Sequence, residues 1–403
     1  MSPKKRIMSK KEKIGIQFVF GILEKEGERE KEGRFVCGLI PGFYDALAVY
    51  QFHISTLAIS KPYDAKNVNL YDFPPTSGIS KLKERLRNSK IRRRNIYQED
   101  VTLEELENNL YSKNGYEVVQ VTAPVPTLRF VQEPTCEKVF MDWIEVSNMS
   151  RNEVPPRRLT AEQQFEVTMN NYSSLIYNYR NSAAKKQKPA KWDIISELMT
   201  WKSEILGALS YSFDGVSLHH AMKEHELNEK NGLIVGSLIP WVEVLSLKHG
   251  AANILTIEYN QLNIEQKFRD RMSSISPADF ASNYEKYLNS FDFAAAFSSI
   301  EQLGLGQFGE PIDAIGDLRE ILKIRCTLKP GGLLFLGLPF GLDAVVFNLH
   351  RVYGPIRLAM LMTGFEWVAT YSSETNSAIE LDKVLREDGT DTKNQYTLVL
   401  RKV

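Results

Sequence analysis

The sequence predicts an α/β protein built around a three-layer sheet of mostly parallel strands. One observation is the apolar strand LLFLGLP, which follows a Lys-Pro-Gly-Gly turn starting at Lys329 and precedes a helix and a second strand. This order is typical of the far half of a nucleotide-type sheet. A second observation is the regular alternation of strands and helices from Trp192 onward. A third is the closing pair of strands, FEWVATYSS and QYTLVLRKV, which predicts an antiparallel carboxy-terminal strand.

The elements of this alternation can be assigned in chain order. The segments GLIVGS, NILTIEY and FDFAAAF have the composition of buried strands. Pro240 suits the first position of the helix after GLIVGS, and Gly250 ends that helix. DAIGDLREILKIRCTL predicts an amphipathic helix, and RLAMLM predicts a shorter one. The resulting order, β-α-β-α-β-α-β-α-β-β, predicts parallel strands joined by crossing helices.

We divide the chain into three parts. Residues 1–100 contain apolar stretches separated by the charge run EKEGEREKEGR, and we predict that they are poorly ordered. Residues 101–190 form an accessory helical and mixed segment, with a capped helix from Thr160 to about Arg180 and the strand YEVVQV. The α/β domain occupies residues 191–403 and begins with a helix.

Composition argues against some classes of function. Fifty Lys and Arg residues balance fifty Asp and Glu residues, which does not favour nucleic acid as a partner. Cys37, Cys136 and Cys326 are an odd number of isolated cysteines, which argues against a disulfide framework and favours a reducing compartment. The segment HHAMKEH lacks the spacing of a zinc protease site, so we predict a helix-surface cluster and no metal. We predict a cytoplasmic protein.

The amino terminus leaves an alternative open, namely membrane anchoring or the secretory route. A basic run precedes the apolar stretch Ile14–Leu23, which falls well short of the ~20 residues that a membrane span needs. A second apolar stretch, residues 35–60, carries charged and proline residues that are costly in lipid. Asn148 and Asn171 begin N-x-S sites, which would be glycosylated only in the secretory route.

Cofactor chemistry in such a sheet belongs at the carboxyl ends of the first strands. Gly236 lies at the first of these ends, where a missing side chain lets the backbone approach a ligand. Glu258 follows about twenty residues later at the next strand end, where a carboxylate accepts hydrogen bonds from ribose hydroxyls. The alternative is a turn glycine and a solvated acid.

The loop after the first strand favours one adenosine ligand over another. NAD requires the pattern G-x-G-x-x-G, in which backbone amides hold a pyrophosphate. Here the loop is Gly236-Ser237-Leu238-Ile239-Pro240, and Pro240 has no N–H to offer. S-adenosylmethionine has no phosphate and tolerates a loop that is poor in glycine, so we predict it as the cofactor.

Several blocks over about residues 190–375 resemble an uncharacterised family that is rich in nematode members, a domain of unknown function (DUF268) that is similar in turn to class I methyltransferases. These blocks are LIVGSLIPWVE, TIEYN, FDFAAAFSSIE, LKPGGLLFLGLP and NLHRVYGPIRL. The resemblance implies a Rossmann-like class I methyltransferase sheet with S-adenosylmethionine as its methyl donor.

The same resemblance implies the cofactor site. Gly236 with Ser237 would hold the methionine end and Glu258 the ribose. Asp279 and Phe280 would lie near the adenine. Three further residues at the end of the fourth strand would face the methyl group: Ser298, Ser299 and Glu301.

This chain departs from the family pattern after the fourth strand. Where the pattern has a histidine, an arginine, a tyrosine and an aspartate, this chain has Gln302, Gln307, Phe308 and Glu310. These replacements remove a possible base and a possible anion clamp. The copy is therefore either altered in substrate or inactive.

The acceptor side is predicted just beyond the fifth strand. His350 offers a general base near neutral pH, and Arg351 offers an anion clamp. The alternative is that both residues bond loop carbonyls and cap the next helix.

Three hypotheses of function follow. The first is a methyltransferase acting on a small-molecule or glycan-type acceptor, with His350 or Glu301 taking a proton. The second is a binding module that keeps the fold without catalysis. The third, an NAD-dependent oxidoreductase, is disfavoured by the missing glycines.

Overall fold

The computed structural model of this chain describes residues 101–122, 124–149, 154–180, 190–385 and 395–403. The predictions for residues 1–100, including both apolar stretches and the charge run, lie outside the described ranges. Within these ranges, no helix is both long enough and apolar enough to cross a membrane.

The first half of the described chain contains mostly helices and short strands. In order, its elements are α1 (Leu103–Leu106), β1 (Tyr116–Gln120), β2 (Thr127–Phe130), α2 (Cys136–Met149), α3 (Ala161–Val167), β3 (Ser174–Tyr177), β4 (Ala190–Trp192), α4 (Ile195–Leu198), α5 (Ser203–Tyr211) and α6 (Val216–Glu224).

The second half contains the predicted alternation. Its elements are β5 (Asn231–Val235), α7 (Trp241–Lys248), β6 (Asn253–Ile257), β7 (Leu262–Ile264), β8 (Met272–Ile275), α8 (Pro277–Ser282), β9 (Phe291–Phe297), α9 (Gly316–Thr327), β10 (Leu328–Pro339), β11 (Ala344–Phe347), β12 (His350–Val352), α10 (Pro355–Leu361), β13 (Phe365–Tyr371), α11 (Leu381–Leu385) and β14 (Gln395–Lys402).

Seven of these strands form one sheet in the order β13-β14-β10-β9-β5-β6-β8. Neighbouring strands from β10 through β8 are parallel, whereas β14 runs antiparallel between β10 and β13. A mostly parallel sheet whose last strand inserts in the opposite direction is the topology of class I methyltransferases. The predicted fold class is therefore confirmed.

Both faces of the sheet are buried, which gives the three layers. Along β5, Leu233 and Val235 belong to one hydrophobic core and Ile234 to the other. This division follows from the alternation of side chains across a strand. Helices α8, α9 and α10 cover the first face, and α4 to α7 cover the second. Such two-sided burial explains why the strands are almost continuously apolar.

Two glycines in the strands make room for aromatic rings of β9. A Cβ atom on Gly232 would lie 2.2 Å from the ring of Phe293, and one on Gly337 would lie 2.1 Å from the ring of Phe297. Any larger residue at either position would require the facing ring to move within the packed core.

The accessory segment does not form a core of its own. Most of its buried residues, among them Leu106, Phe140 and Tyr172, pack in the same cluster as the leucines of β10 and β14, and Leu159 and Val167 pack with residues of β11. In addition, β3 pairs with β11, which forms a hairpin with β12, and β4 pairs with β7. The boundary predicted near residue 190 therefore does not separate two hydrophobic cores.

Two local predictions were wrong, one in this segment and one just after it. The capping box of Thr160 and Gln163 is present, but its helix ends at Val167 instead of continuing to Arg180. The next residues, Met169, Asn170 and Asn171, have positive φ angles, which an α-helix does not accommodate. Similarly, the single helix predicted after Trp192 is divided into α4 and α5.

The cysteine prediction is also corrected. Cys136, at the start of α2, forms a disulfide with Cys326, near the end of α9. The two residues are separated by 190 positions in the sequence, and their Cα atoms lie 5.7 Å apart. Counting cysteines could not reveal this pair, because the fold brings them together.

Candidate functional site

The loop after β5 is held tightly against the end of β9. Gly236 has a φ angle of 72°, and its N–H donates to the carbonyl of Ile257. A Cβ atom at this position would lie 2.7 Å from the Cβ of Ser299, whose hydroxyl donates to the carbonyl of Val235. Glycine is therefore required here by backbone conformation and by the neighbouring strand.

Glu258 lies at the end of β6 and turns its carboxylate toward this loop. One oxygen accepts a hydrogen bond of 3.1 Å from the N–H of Ser237. The other accepts from the N–H of Asn260 at 3.1 Å and from its side-chain amide at 3.0 Å. Burial raises the pKa of Glu258, and these hydrogen bonds oppose that shift. A carboxylate has about four acceptor positions, so it can accept one further bond.

A second carboxylate, that of Glu243, contacts the same loop. The Oγ of Ser237 lies 2.9 Å from a carboxyl oxygen of Glu243, and the hydroxyl of Thr256 donates to the other oxygen at 3.0 Å. Burial raises the pKa of Glu243 to about 7. Ser237 thus connects two acidic groups, one through its backbone and one through its side chain.

Large apolar side chains are exposed beside Glu258. Tyr259, the next residue, is 64% exposed, and Leu238, the residue after Ser237, is 59% exposed. Both follow the carboxyl end of a parallel strand, where ligands bind in sheets of this type. The edge therefore combines an acidic acceptor with two exposed apolar side chains.

A second polar cluster lies at the end of β9. Ser298, with a φ angle of 51°, donates from its hydroxyl to Glu301 at 2.7 Å and accepts from the side-chain amide of Gln395 at 3.1 Å. Glu301 is almost completely buried, and burial raises its pKa to about 7. The second carboxyl oxygen of Glu301 and the amide oxygen of Gln395 have no hydrogen-bond partner among the described residues.

Three more residues hold this cluster in place. The carbonyl of Ser298 accepts from the hydroxyl of Tyr211 at 3.3 Å and from the side-chain amide of Gln302 at 2.9 Å. Asp214 accepts from the N–H of Gln395 at 3.2 Å, and burial raises the pKa of Asp214 to about 6. Sequence reasoning missed Tyr211, Asp214 and Gln395, because they lie far from β9 in the chain and carry no local motif.

Arg351 is enclosed by backbone carbonyls and by the carboxylate of Asp317. It is fully buried, and its guanidinium donates to backbone carbonyls, including that of Asp313 at 2.9 Å. It also lies beside Asp317, which forms a buried ion pair with Arg357. Although burial opposes ionisation, the two guanidiniums hold the pKa of Asp317 well below its usual range. The predicted role of Arg351 as a clamp for a ligand anion is therefore replaced by a structural role.

His350 faces away from this cluster. Adjacent residues of a strand point to opposite sides, and Arg351 is the residue of β12 that reaches the backbone of Glu301. The Nε2 atom of His350 is buried and lacks a partner in the part of the chain that is described. Burial lowers the pKa of His350 to about 4, so the imidazole is neutral at pH 7. The structure does not bring together His350 and Glu301, the two residues predicted to act as a base.

The predicted adenine residues have different environments. Asp279 is exposed and accepts from the hydroxyl of Ser276 at 2.6 Å, at the start of α8. Phe280 is buried, and its ring stacks on that of Tyr287 with centroids 4.7 Å apart. Phe280 is therefore a core residue and has no free face for a ligand, which corrects its predicted role.

The histidines of HHAMKEH also differ from expectation. His219 and His220 are buried rather than exposed on a helix surface, and Nδ1 of His219 lies 3.0 Å from Nε2 of His249. Burial lowers the pKa of His249 to about 4. Among the described residues, no group of three or more His, Cys, Asp or Glu side chains could hold a metal ion.

The strand order agrees with the class I methyltransferase fold that the sequence predicts. Residues 229–403 match the family model described as "Caenorhabditis protein of unknown function, DUF268". All five blocks that carried the predicted resemblance lie within the DUF268 region, so the resemblance is confirmed there. No curated protein matches the chain.

Solved structures similar to the chain include two methyltransferases. One is the 1,6-didemethyltoxoflavin-N1-methyltransferase of Burkholderia thailandensis, with 12% identity over 52% of this chain and 87% of the other, and a TM-score of 0.34. The second is the N-methyltransferase NodS of Bradyrhizobium japonicum, with 13% identity over 52% of this chain and 97% of the other, and a TM-score of 0.32. At these TM-scores the similarity supports neither a fold nor a function for this chain. The fold assignment of the DUF268 region therefore depends on its strand order.

Proposed function

We propose that this chain is a methyltransferase that uses S-adenosylmethionine. The observation that supports this most is the position of Glu258, whose carboxylate lies at the end of the second strand of a class I sheet and contacts the loop after the first. Its remaining acceptor capacity suits a ribose hydroxyl. The exposed side chains of Leu238 and Tyr259 on either side offer apolar contacts for a purine ring.

These residues fit the cofactor better than they fit NAD. The loop contains one glycine, Gly236, and Pro240 lacks the N–H that a pyrophosphate would need. In our proposal Gly236 and Ser237 hold the amino acid end, Glu258 holds the ribose, and Ser298 contacts the cofactor from β9. When bound, S-adenosylmethionine supplies an electrophilic methyl group.

The cluster after β9 would serve the methyl acceptor. Glu301 has one buried carboxyl oxygen for which no hydrogen-bond partner is found among the described residues, and its pKa is raised to about 7, so it would take a proton from an oxygen or nitrogen nucleophile near neutral pH. Ser298 fixes one of its oxygens and thereby orients the other. Rate would come mainly from positioning and desolvation. We propose a small-molecule or glycan-type acceptor, with Glu301 as the first candidate for the base and His350 as the second.

One observation favours the alternative of a non-catalytic binding module. Gln302 stands where the family pattern has a histidine, and its amide is bound to the carbonyl of Ser298. A glutamine in this position cannot act as a base. The fold and the Glu258 site would then bind a ligand without transferring a methyl group.

Ligand binding by the full chain tests these proposals. Thermal unfolding would be followed with S-adenosylmethionine, S-adenosylhomocysteine and NAD, each well above the expected dissociation constant. We expect the first two to raise the unfolding temperature and NAD to have no effect. Stabilisation by NAD alone would favour an oxidoreductase, and no effect of any ligand would contradict the cofactor proposal. Binding without methylation of any acceptor in a screen would favour the non-catalytic module.

A further inference from the structure

The disulfide between Cys136 and Cys326 joins two packed helices. Apart from the covalent bond, α2 is held on α9 by the indole of Trp143, whose ring centroid lies 4.0 Å from the ammonium of Lys323. Cys326 is buried in the same hydrophobic core as Phe140 of α2. A Cα separation of 5.7 Å allows the bond without backbone movement. Disulfides of this structural kind form and persist in oxidising compartments.

The same helix carries an N-x-S site at its other end. Asn148 is exposed near the carboxyl end of α2, and the next residue, Met149, is 66% exposed. Val139 and Phe140 are the buried residues of this helix and lie near its start. A glycan on Asn148 would therefore extend into solvent without displacing the core.

The second N-x-S site has a different environment. Asn171 is half-buried in a turn with a φ angle of 68°, and its N–H donates to the hydroxyl of Thr168 at 3.2 Å. Ser173, which completes the site, is buried. A glycan at Asn171 would compete with this packing, so the chain contains one accessible site and one matched internal control.

We propose that the chain matures in the secretory pathway, with a disulfide between Cys136 and Cys326 and an N-linked glycan on Asn148. The disulfide and the exposed site are independent observations: such a bond persists in oxidising compartments, and glycosylation of Asn148 occurs only in the secretory route. The basic run followed by the apolar stretch Ile14–Leu23 is compatible with a route into that pathway. This proposal replaces the predicted cytoplasmic location and does not depend on the methyltransferase proposal.

Both modifications can be written as balanced reactions. In the first, the two thiols lose two protons and two electrons to the disulfide of a thiol oxidoreductase, which becomes a dithiol. In the second, the side-chain nitrogen of Asn148 forms a bond to the anomeric carbon of an oligosaccharide carried on a polyisoprenyl diphosphate. The bond from that carbon to the diphosphate oxygen breaks, and the amide nitrogen loses one proton.

The test uses the full chain with a carboxy-terminal tag, expressed in animal cells. Free thiols are blocked with N-ethylmaleimide at lysis, and the protein is analysed by non-reducing peptide mapping and by electrophoresis before and after peptide-N-glycosidase F. We expect a linked peptide containing both cysteines and a mobility increase on glycosidase treatment. Asn148→Gln and Ser150→Ala should abolish the increase, whereas Asn171→Gln and Ser150→Thr should retain it.

Each other result would overturn the proposal. Recovery of Cys136 and Cys326 as maleimide adducts would exclude the disulfide in cells. A wild-type chain that is linked but insensitive to the glycosidase would exclude the glycan. A glycan that persists in Asn148→Gln and disappears in Asn171→Gln would lie on Asn171, which contradicts the proposed site. The two measurements on the wild-type chain need no variant, so a folding defect in a variant would not obscure the result.

Discussion

The hydroxyl of Ser298 donates a 2.7 Å hydrogen bond to one carboxyl oxygen of Glu301, while the other oxygen has no partner among the described residues. One oxygen of the carboxylate is thus fixed by Ser298, and the other is enclosed by the protein. Because Glu301 is buried, its pKa is raised to about 7. Active sites often contain a buried acid whose pKa is raised in this way, which makes Glu301 a residue to test.

This arrangement leads to a prediction about turnover. In the proposed reaction Glu301→Gln should lower kcat by roughly 10²- to 10⁴-fold with little change in cofactor affinity, because a glutamine cannot accept the proton. His350→Gln is the matched comparison, and it should have the smaller effect since His350 faces away from the cluster. The measurement is methyl transfer from labelled cofactor, after an acceptor screen. Loss of turnover only in His350→Gln would reverse the two assignments.

The raised pKa of Glu301 also predicts a pH dependence of stability. Its folded pKa lies above the unfolded value, so its contribution is fully present below about pH 4 and is lost as pH rises through about 7. The side chain of Glu301→Gln is neutral at every pH, so the variant does not lose this contribution to the free energy of unfolding. We therefore expect the variant to gain stability relative to wild type between pH 5 and pH 8, on the order of 1–3 kcal/mol. Urea unfolding at both pH values measures this, and an unchanged difference would contradict a raised pKa.

Glu258 provides a test of the cofactor site. Glu258→Ala should weaken binding of S-adenosylhomocysteine by about 1.5 to 3 kcal/mol, because it removes charge-assisted hydrogen bonds to the ribose. The control is Glu285→Ala, an exposed acid outside the candidate site. Calorimetric titration of both variants gives the comparison. Equal affinities in the two variants would remove Glu258 from the site.

The sheet could be predicted from the sequence because its signals are local. Apolar strands such as FDFAAAF, the amphipathic helix before Leu328 and the final strand pair each carry their own pattern. Gly236 and Glu258 could be found for the same reason, since each follows directly after a strand. Their positions depend on chain order and parallel pairing, both of which the pattern specifies.

The rest of the site depends on contacts that no local pattern encodes. Gln395 reaches Ser298 only because β14 inserts antiparallel beside β10. A charged residue after a strand is equally compatible with a ligand contact and with a buried ionic network. For Arg351 only the position of Asp317, which the sequence does not specify, favours the buried network. Likewise, Cys136 and Cys326 are neighbours only in the folded chain.

The shared core predicts the outcome of a truncation. A fragment of residues 192–403 should fail to unfold cooperatively, because it lacks the side chains that cover one face of the sheet, including Leu106 and Phe140. A fragment of residues 101–403 is the matched control and should unfold in one transition. Circular dichroism during heating and size-exclusion chromatography distinguish the two. A soluble, cooperative 192–403 fragment would support the boundary predicted near residue 190.

The buried network around Asp317 predicts how Arg351 contributes to the protein. Arg351→Met should lower the free energy of unfolding by about 3–5 kcal/mol, since it removes one partner of a buried ionic group and leaves carbonyls such as that of Asp313 without a donor. Arg401→Met is the control: its partner Glu366 is exposed, and loss of such a pair costs about 0–1 kcal/mol.

The depressed pKa of Asp317 sets the direction of the pH effect on this network. Its contribution to stability is present above its unfolded pKa and is lost as pH falls through its folded value. The wild type should therefore lose stability in acid, and Asp317→Asn should lose less over the same interval. Urea unfolding between about pH 5 and about pH 2 measures both slopes, because the unfolded pKa of an aspartate is about 4 and the folded pKa of Asp317 lies below it. A ligand clamp would behave differently: Arg351→Met would then keep wild-type stability and raise only the KM for an anionic acceptor.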